Sequence, residues 1–191
     1  MSRQGAFFKT IFDNYSFKEA ILAELEEDIS FFVRFLPGLL GFFLRYLVYK
    51  CLFKTIHSIP YIFPEVRFVY MRRISLGHNV VVNSNCYIYA RGGIEIGDNV
   101  LISPNCAIVA GDHEIYETDP MNVIPSKNQK IAIESGCWVG ANTVIRGGVT
   151  IAKGSVIGAG AVVTQDTEAY SINAGVPARK IGNRQKGKED G

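Results

Sequence analysis

The chain has 191 residues, 20 Lys plus Arg against 18 Asp plus Glu, a formal charge of +2 at pH 7, and 48% hydrophobic against 20% charged residues. This balance excludes a disordered segment and a strongly basic nucleic-acid binder, so no nucleic-acid partner is expected. Its four cysteines are too few for a disulfide framework and lack zinc-type spacing, so a reducing, cytoplasmic setting and no metal are expected.

All 12 Phe lie at or before Phe68, whereas 16 of the 19 Gly lie at or after Gly77, so two unlike parts meet near residue 70. In the first part, residues 1–73, Phe17, Ile21, Leu25 and Ile29 recur at four-residue steps with Glu19, Glu24, Glu26, Glu27 and Asp28 between them. That spacing predicts an amphipathic helix. The apolar stretch that follows, Phe31 to Phe53, contains Arg34, Pro37, Gly38, Gly41, Arg45 and Lys50. Interior charges and the Pro-Gly break argue against a spanning helix and for two short ones. With Arg45 and Lys50 set at headgroup level, residues 31–53 suit peripheral contact with a membrane; packing on protein is the alternative.

In the second part a Leu, Ile or Val recurs every sixth residue, at Ile96, Ile102 and Ile108, then from Ile133 through Val139, Ile145, Ile151 and Ile157 to Val163. Upstream, Leu76, Val82 and Ile88 keep the same step, with a two-residue slip around Ile94. Three residues after the aliphatic, eleven of the twelve hexads carry Gly, Asn or Asp, the residues that tolerate left-handed backbone angles; Arg91 is the exception. Cys86, Cys106 and Cys137 share the next position, where a small inward side chain packs. A flat strand followed by a corner, three times per turn, predicts a triangular parallel β-solenoid of about four coils over residues 74–168. A loop over 109–132 leaves it, and residues 169–191 form a C-terminal cap and flexible tail.

These residues resemble the hexapeptide-repeat acyltransferases, whose fold is a left-handed parallel β-helix. The segments Ile94-Glu-Ile-Gly-Asp-Asn-Val100, Trp138-Val-Gly140, Val156-Ile-Gly-Ala-Gly160 and Ala174-Gly-Val-Pro-Ala-Arg179 carry the resemblance, which is strongest to the sugar O-acetyltransferase branch of maltose and galactoside type. The resemblance implies a mainly β fold preceded by helices, acetyl-CoA as co-substrate, a sugar or glycan acceptor, and a homotrimer. The Leu-Pro-Gly stretch followed by an Arg- and aromatic-rich helix is similar to acetyltransferases of surface-polysaccharide assembly. It implies a bacterial polysaccharide or lipid-linked glycan acceptor and a place on the cytoplasmic face of the inner membrane.

A long loop leaving a regular solenoid is a natural place for chemistry. Its first residues, Gly111-Asp112-His113, match the family's catalytic motif, which makes His113 the general base on the acceptor hydroxyl. Asp112 breaks the small-residue rule; it either faces outward at the loop exit or orients the imidazole. By resemblance Asn83 binds the acceptor and Trp138 helps wall the site. Arg91 stands where the branch has an acidic acceptor contact, so a neutral sugar is not assumed, and an anionic acceptor group is an option. Ala141 and Ala159 match contacts to the pantetheine arm, while Thr164, Arg179 and Lys180 match the region of the adenosine phosphates. The alternatives are N-acetylation of an amino sugar or antibiotic, and a non-catalytic β-helix scaffold.

Overall fold

The structure, a computed structural model, describes residues 17–116, 118, 120–121, 124 and 126–184. Residues 185–191, on which most of the expected flexible tail falls, lie outside the described residues. Two helices come first, α1 (Phe17–Arg34) and α2 (Gly38–Leu52), broken at Pro37-Gly38. Pro37 removes a backbone donor, and Gly38 takes a φ of 69°, which suits glycine.

The solenoid then winds through β1 (Thr55–Ile56), β2 (Tyr61–Ile62) and β3 (Arg67–Val69) as its first coil. The second is β4 (Ile74–Leu76), β5 (Val81–Val82) and β6 (Tyr87–Tyr89), and the third β7 (Ile94–Ile96), β8 (Leu101–Ile102) and β9 (Ala107–Val109). A hairpin of β10 (Asp112–His113) and β11 (Ser126–Lys127) interrupts the winding. The fourth coil is β12 (Ile131–Ile133), β13 (Trp138–Val139) and β14 (Val144–Arg146), and the fifth β15 (Thr150–Ile151), β16 (Val156–Ile157) and β17 (Val162–Val163). Finally β18 (Ser171–Gly175) opens a sixth turn and folds back antiparallel on β19 (Ala178–Asn183).

Each face of the prism is a parallel sheet: β1-β4-β7-β12-β15 on the first, β2-β5-β8-β13-β16-β18 on the second, and β3-β6-β9-β14-β17 on the third. The winding is left-handed, as the resemblance implied. The hexad aliphatics stack in register, Ile56 on Leu76, Ile96, Ile133 and Ile151 along the first face. From Leu76 onward they are buried, each contributing roughly 1.5–3 kcal/mol relative to exposure. Asn79, Asn85, Asn99, Asn105 and Asn142 hold positive φ at the corners, and Cys86, Cys106 and Cys137 are buried among the aliphatics.

Two expectations change. The solenoid starts at Thr55 rather than near 74, and has five complete coils plus the sixth turn rather than about four. The six-residue step runs back through Phe68, Ile62 and Ile56; an aromatic in the aliphatic slot and a two-residue slip at Ile74–Leu76 conceal it.

The second change concerns the helices. The apolar stripe of α1 faces away from the solenoid, with Phe17 65% and Phe32 76% exposed, and its acidic face packs inward. Glu26 accepts from the Met71 N–H at 2.8 Å and from Arg72 at 2.6 Å, Glu27 pairs with Arg34 and Arg67, and Glu19 with Arg73. Burial pushes the Glu27 carboxyl up, but hydrogen bonds and charge from Arg67 and Arg34 outweigh it and hold it below the usual range. Arg45 is not at headgroup level. It is buried, and its guanidinium donates to the carbonyls of Ile62, at 3.1 Å, and of Val33 and Leu36. Lys50 stays exposed, its ammonium over the Tyr46 ring.

Candidate active site

Irregularity in the winding is confined to one edge of the prism, between the third and first faces. Corresponding residues of the first three coils are 20 apart (Ile56, Leu76, Ile96), against 18 between the fourth and fifth (Ile133, Ile151). The extra residues fall at this edge, as Met71–Arg73 in the first coil and Arg91-Gly92-Gly93 in the second. Arg91 escapes the Gly/Asn/Asp rule because Gly93, with φ of 90°, makes this longer corner. In the third coil the same edge extrudes the loop. Arg72 and Arg73, Arg91, Asp112 and His113, Arg146, and Thr164 therefore descend one edge coil by coil.

The loop's base is pinned by the hairpin, which sets Asp112 opposite Lys127 and His113 opposite Ser126. Asp112 accepts the His113 backbone N–H at 2.9 Å and the Arg146 Nε–H at 2.6 Å. It thus fixes the strand that carries the imidazole and ties it to the fourth coil, through the His113 backbone rather than its ring. Burial raises the Asp112 carboxyl, but the Arg146 bond, the His113 backbone N–H and the Arg146 charge together leave it below the usual aspartate range. A lowered pKa means that this clamp is complete above the unfolded aspartate range and weakens as pH falls through the lower folded value.

His113 is exposed and stands between two depressions. One is a cleft of about 300 Å³ lined by Tyr87, Tyr89, Arg91, Asp112 and Ser126. Arg91 is buried there and donates to Ser126 Oγ at 2.8 Å. The other is a groove of about 290 Å³ lined by Tyr116, Gln129, Arg146, Gly147, Thr164 and Gln165. Among the described residues, His113 alone lines both. Gln165 continues the groove into a smaller hollow at the open end of the prism, where Arg179 and Lys180 lie. Lys180 pairs there with Glu168 at 2.5 Å, and Arg179 is exposed.

The remaining candidates stand elsewhere. Asn83 donates to the Ile102 carbonyl at 2.9 Å at the edge between the second and third faces. Trp138 projects from the second face, 48% exposed, and its indole N–H donates to Ser103 Oγ at 3.0 Å. Ala141 and Ala159 sit on successive coils beside Asn83's edge, joined by the Gly160 N–H to the Ala141 carbonyl at 2.8 Å. One chain therefore unites Arg91, Asp112, His113 and Thr164, and separates them from Asn83, Trp138, Ala141 and Ala159. Sequence reasoning missed Tyr87 and Tyr89, whose rings stack 6.3 Å apart on the cleft wall. They flank the inward Ile88 in a three-residue strand and must point outward, which was the available signal. It also missed Arg146. Among the described residues no His, Cys, Asp and Glu cluster is arranged to hold a metal, and the His57 and His78 rings lie 5.5 Å apart, tilted by 42°.

Two family models match the chain: a hexapeptide repeat of succinyl-transferase over residues 73–110 and a bacterial transferase hexapeptide of six repeats over 130–165. Galactoside O-acetyltransferase of Escherichia coli (strain K12) is 38% identical over 136 residues, covering 69% of this chain and 64% of that protein. The chain thus spans slightly under two thirds of that relative's length. Among solved structures, a galactoside acetyltransferase in complex with coenzyme A superimposes with a TM-score of 0.82 at 29% identity, over 89% of this chain and 84% of the other. A maltose O-acetyltransferase from Clostridium difficile 630 gives 0.80 at 25% identity, over 90% of each.

Proposed function

We propose that this chain, a hexapeptide-repeat protein related to the galactoside and maltose O-acetyltransferases, transfers acetyl from acetyl-CoA to a sugar hydroxyl. The observation that carries the reading is the position of His113, the one described side chain lining both cleft and groove. Acetyl-CoA lies in the groove past Thr164, with its phosphates toward Arg179 and Lys180. The acceptor lies in the cleft against Tyr87 and Tyr89. His113 takes the hydroxyl proton as the oxygen attacks the thioester carbonyl; the tetrahedral intermediate collapses, and the imidazolium returns the proton to the departing thiolate. Asp112 and Arg146 hold the strand bearing His113 in place.

The two separated groups of candidate residues support a homotrimer. If a neighbouring copy sets its second-to-third edge against the third-to-first edge of this one, Asn83, Trp138, Ala141 and Ala159 rejoin His113. The acceptor class is a bacterial polysaccharide or lipid-linked glycan. Thiol release from acetyl-CoA that depends on added glycan, yielding an alkali-labile ester, is the expected result. An alkali-stable amide would make the enzyme an N-acetyltransferase, and absence of coenzyme A binding in titration calorimetry would leave a scaffold.

The helices bear on location. No helix among the described residues is long and apolar enough to cross a membrane. The outward stripe of α1 and Leu39, Leu40, Phe43 and Leu47 of α2 nevertheless leave apolar side chains exposed that the solenoid does not cover. The stripe's polar counterpart is consumed by Arg67, Arg72 and Arg73, an inversion that a lipid surface rationalises. We place the protein on the cytoplasmic face of the inner membrane through this surface. Full-length protein is expected to pellet with phosphatidylethanolamine–phosphatidylglycerol vesicles, and Leu39→Glu with Leu40→Glu, each residue over 70% exposed, to stay in the supernatant. Vesicle-independent oligomerisation lost in the same variant would assign the surface to protein instead.

A further inference from the structure

Beyond the acceptor cleft lies a further depression. It measures about 430 Å³ against about 300 Å³ for the cleft, and Lys54, Arg72, Arg73, Arg91, Lys130 and a single carboxylate, Glu95, supply its charged lining. Five of the chain's 20 cations therefore converge on one hollow in a protein whose total formal charge is only +2. Arg91 is the one residue that it shares with the cleft, just as His113 is the one shared between cleft and groove. The order along the edge is fixed: groove, His113, cleft, Arg91, basic hollow.

Part of this charge serves the fold. Arg72 and Arg73 are paired with Glu26 and Glu19 of α1, and Lys130 with Glu95 at 2.6 Å. Holding α1 does not explain Lys54, which has no carboxylate within salt-bridge distance among the described residues, nor Lys130, whose partner belongs to the hollow itself. Arg73 reaches both ways, donating to the Arg91 carbonyl and to Glu19, so the hollow adjoins the first turns of α1 where the exposed apolar stripe begins.

We infer that the acceptor is a glycosyl phosphate or diphosphate. Its sugar occupies the cleft on Tyr87 and Tyr89, and its phosphoryl oxygens occupy the basic hollow across Arg91. This deepens the acetyl-transfer reading and, for the sugar's role, rests on it. Guanidinium and ammonium groups converging on one hollow supply charge-assisted donors that a neutral sugar leaves unused. The phosphate can come from a soluble nucleotide sugar or from a lipid-carried sugar diphosphate; the second would enter from the membrane side along α1.

The test has a binding arm and a catalytic arm. Inorganic pyrophosphate is titrated calorimetrically into full-length protein saturated with coenzyme A, which blocks the donor groove. Binding that weakens about tenfold in Lys54→Gln with Lys130→Gln, and falls with added salt, is expected. Equal pyrophosphate binding by wild type and variant, or none by either, overturns the inference. Circular dichroism confirms that the variant is folded, and if it is not, Lys54→Gln alone serves. In the catalytic arm kcat/KM is compared for a hexose, its 1-phosphate, its uridine-diphosphate ester and its undecaprenyl-diphosphate ester in vesicles. At least a tenfold preference for phosphorylated forms over the free hexose is expected, and the ratio of the last two identifies the source of the phosphate. Equal or better use of the free hexose overturns the inference. Pyrophosphate binding without acetyl transfer to any of the four would sink the acetyl-transfer reading while leaving the anion site standing.

Discussion

His113→Ala is expected to lower kcat for acetyl transfer by about 10²- to 10⁴-fold, the range that general-base assistance supplies. The imidazole is exposed and contributes little to packing, so the melting temperature should move by less than the loss of a core side chain would move it. Binding of acetyl-CoA, measured calorimetrically, should stay within a few-fold of wild type, because the groove has its own walls in Tyr116, Gly147, Thr164 and Gln165. A variant that is folded, binds acetyl-CoA and still transfers at near wild-type rate would remove His113 from the chemistry. The reading would then have to move to another group in the cleft. Loss of acetyl-CoA binding in parallel with rate would instead make His113 a wall of the groove.

That His113 and Asp112 stood out as candidates in the sequence, whereas Arg146 did not, has a physical cause. A solenoid repeats a six-residue pattern, so any departure stands out, and the long interruption after Ile108 marks the edge that carries the site. Contacts between coils obey no such pattern. Arg146 meets Asp112 from 34 residues away because the loop intervenes, and nothing in the spacing of either residue announces the pair. Tyr87 and Tyr89 were legible in principle from strand alternation, yet the hexad rule attends to inward positions and passes over outward ones. The first coil was hidden for a related reason. Phe68 fills an aliphatic slot, and Ile74 and Leu76 both point inward within one strand, which breaks the count.

The helices show a different limit. A four-residue apolar step establishes that α1 has two faces, but not which of them meets the rest of the protein. Here the acidic face wins, because Arg67, Arg72 and Arg73 line the solenoid's flank and offer it half-buried and exposed ion pairs. The basic residues that decide the matter lie some 40 to 54 residues further along the chain. The outward turn of the apolar face and the inward turn of Arg45 follow from the same docking.

Arg45→Ala is accordingly expected to destabilise the attachment of both helices by about 3–5 kcal/mol, the cost of breaking a buried, hydrogen-bonded charged contact. Arg45 is 3% exposed, and its guanidinium joins three chain segments through their carbonyls: Val33 at the end of α1, Leu36 in the break, and Ile62 in the first coil. The first two lie in the last turn of α1 and just past its end, where cationic donors are favoured. Burial lowers the Arg45 pKa from its usual value, with the Tyr49 hydroxyl opposing, but an arginine still keeps its charge at neutral pH. Alanine would leave those carbonyls without the donor and a cavity beside Tyr49, while the hexad stack from Leu76 to Val163 is untouched. Amide exchange should therefore accelerate across residues 17–62 and stay slow in β7 to β16. If exchange quickens equally in the solenoid, helices and prism form one cooperative unit. If it does not change at all, the three carbonyls find other donors and Arg45 is not the clamp.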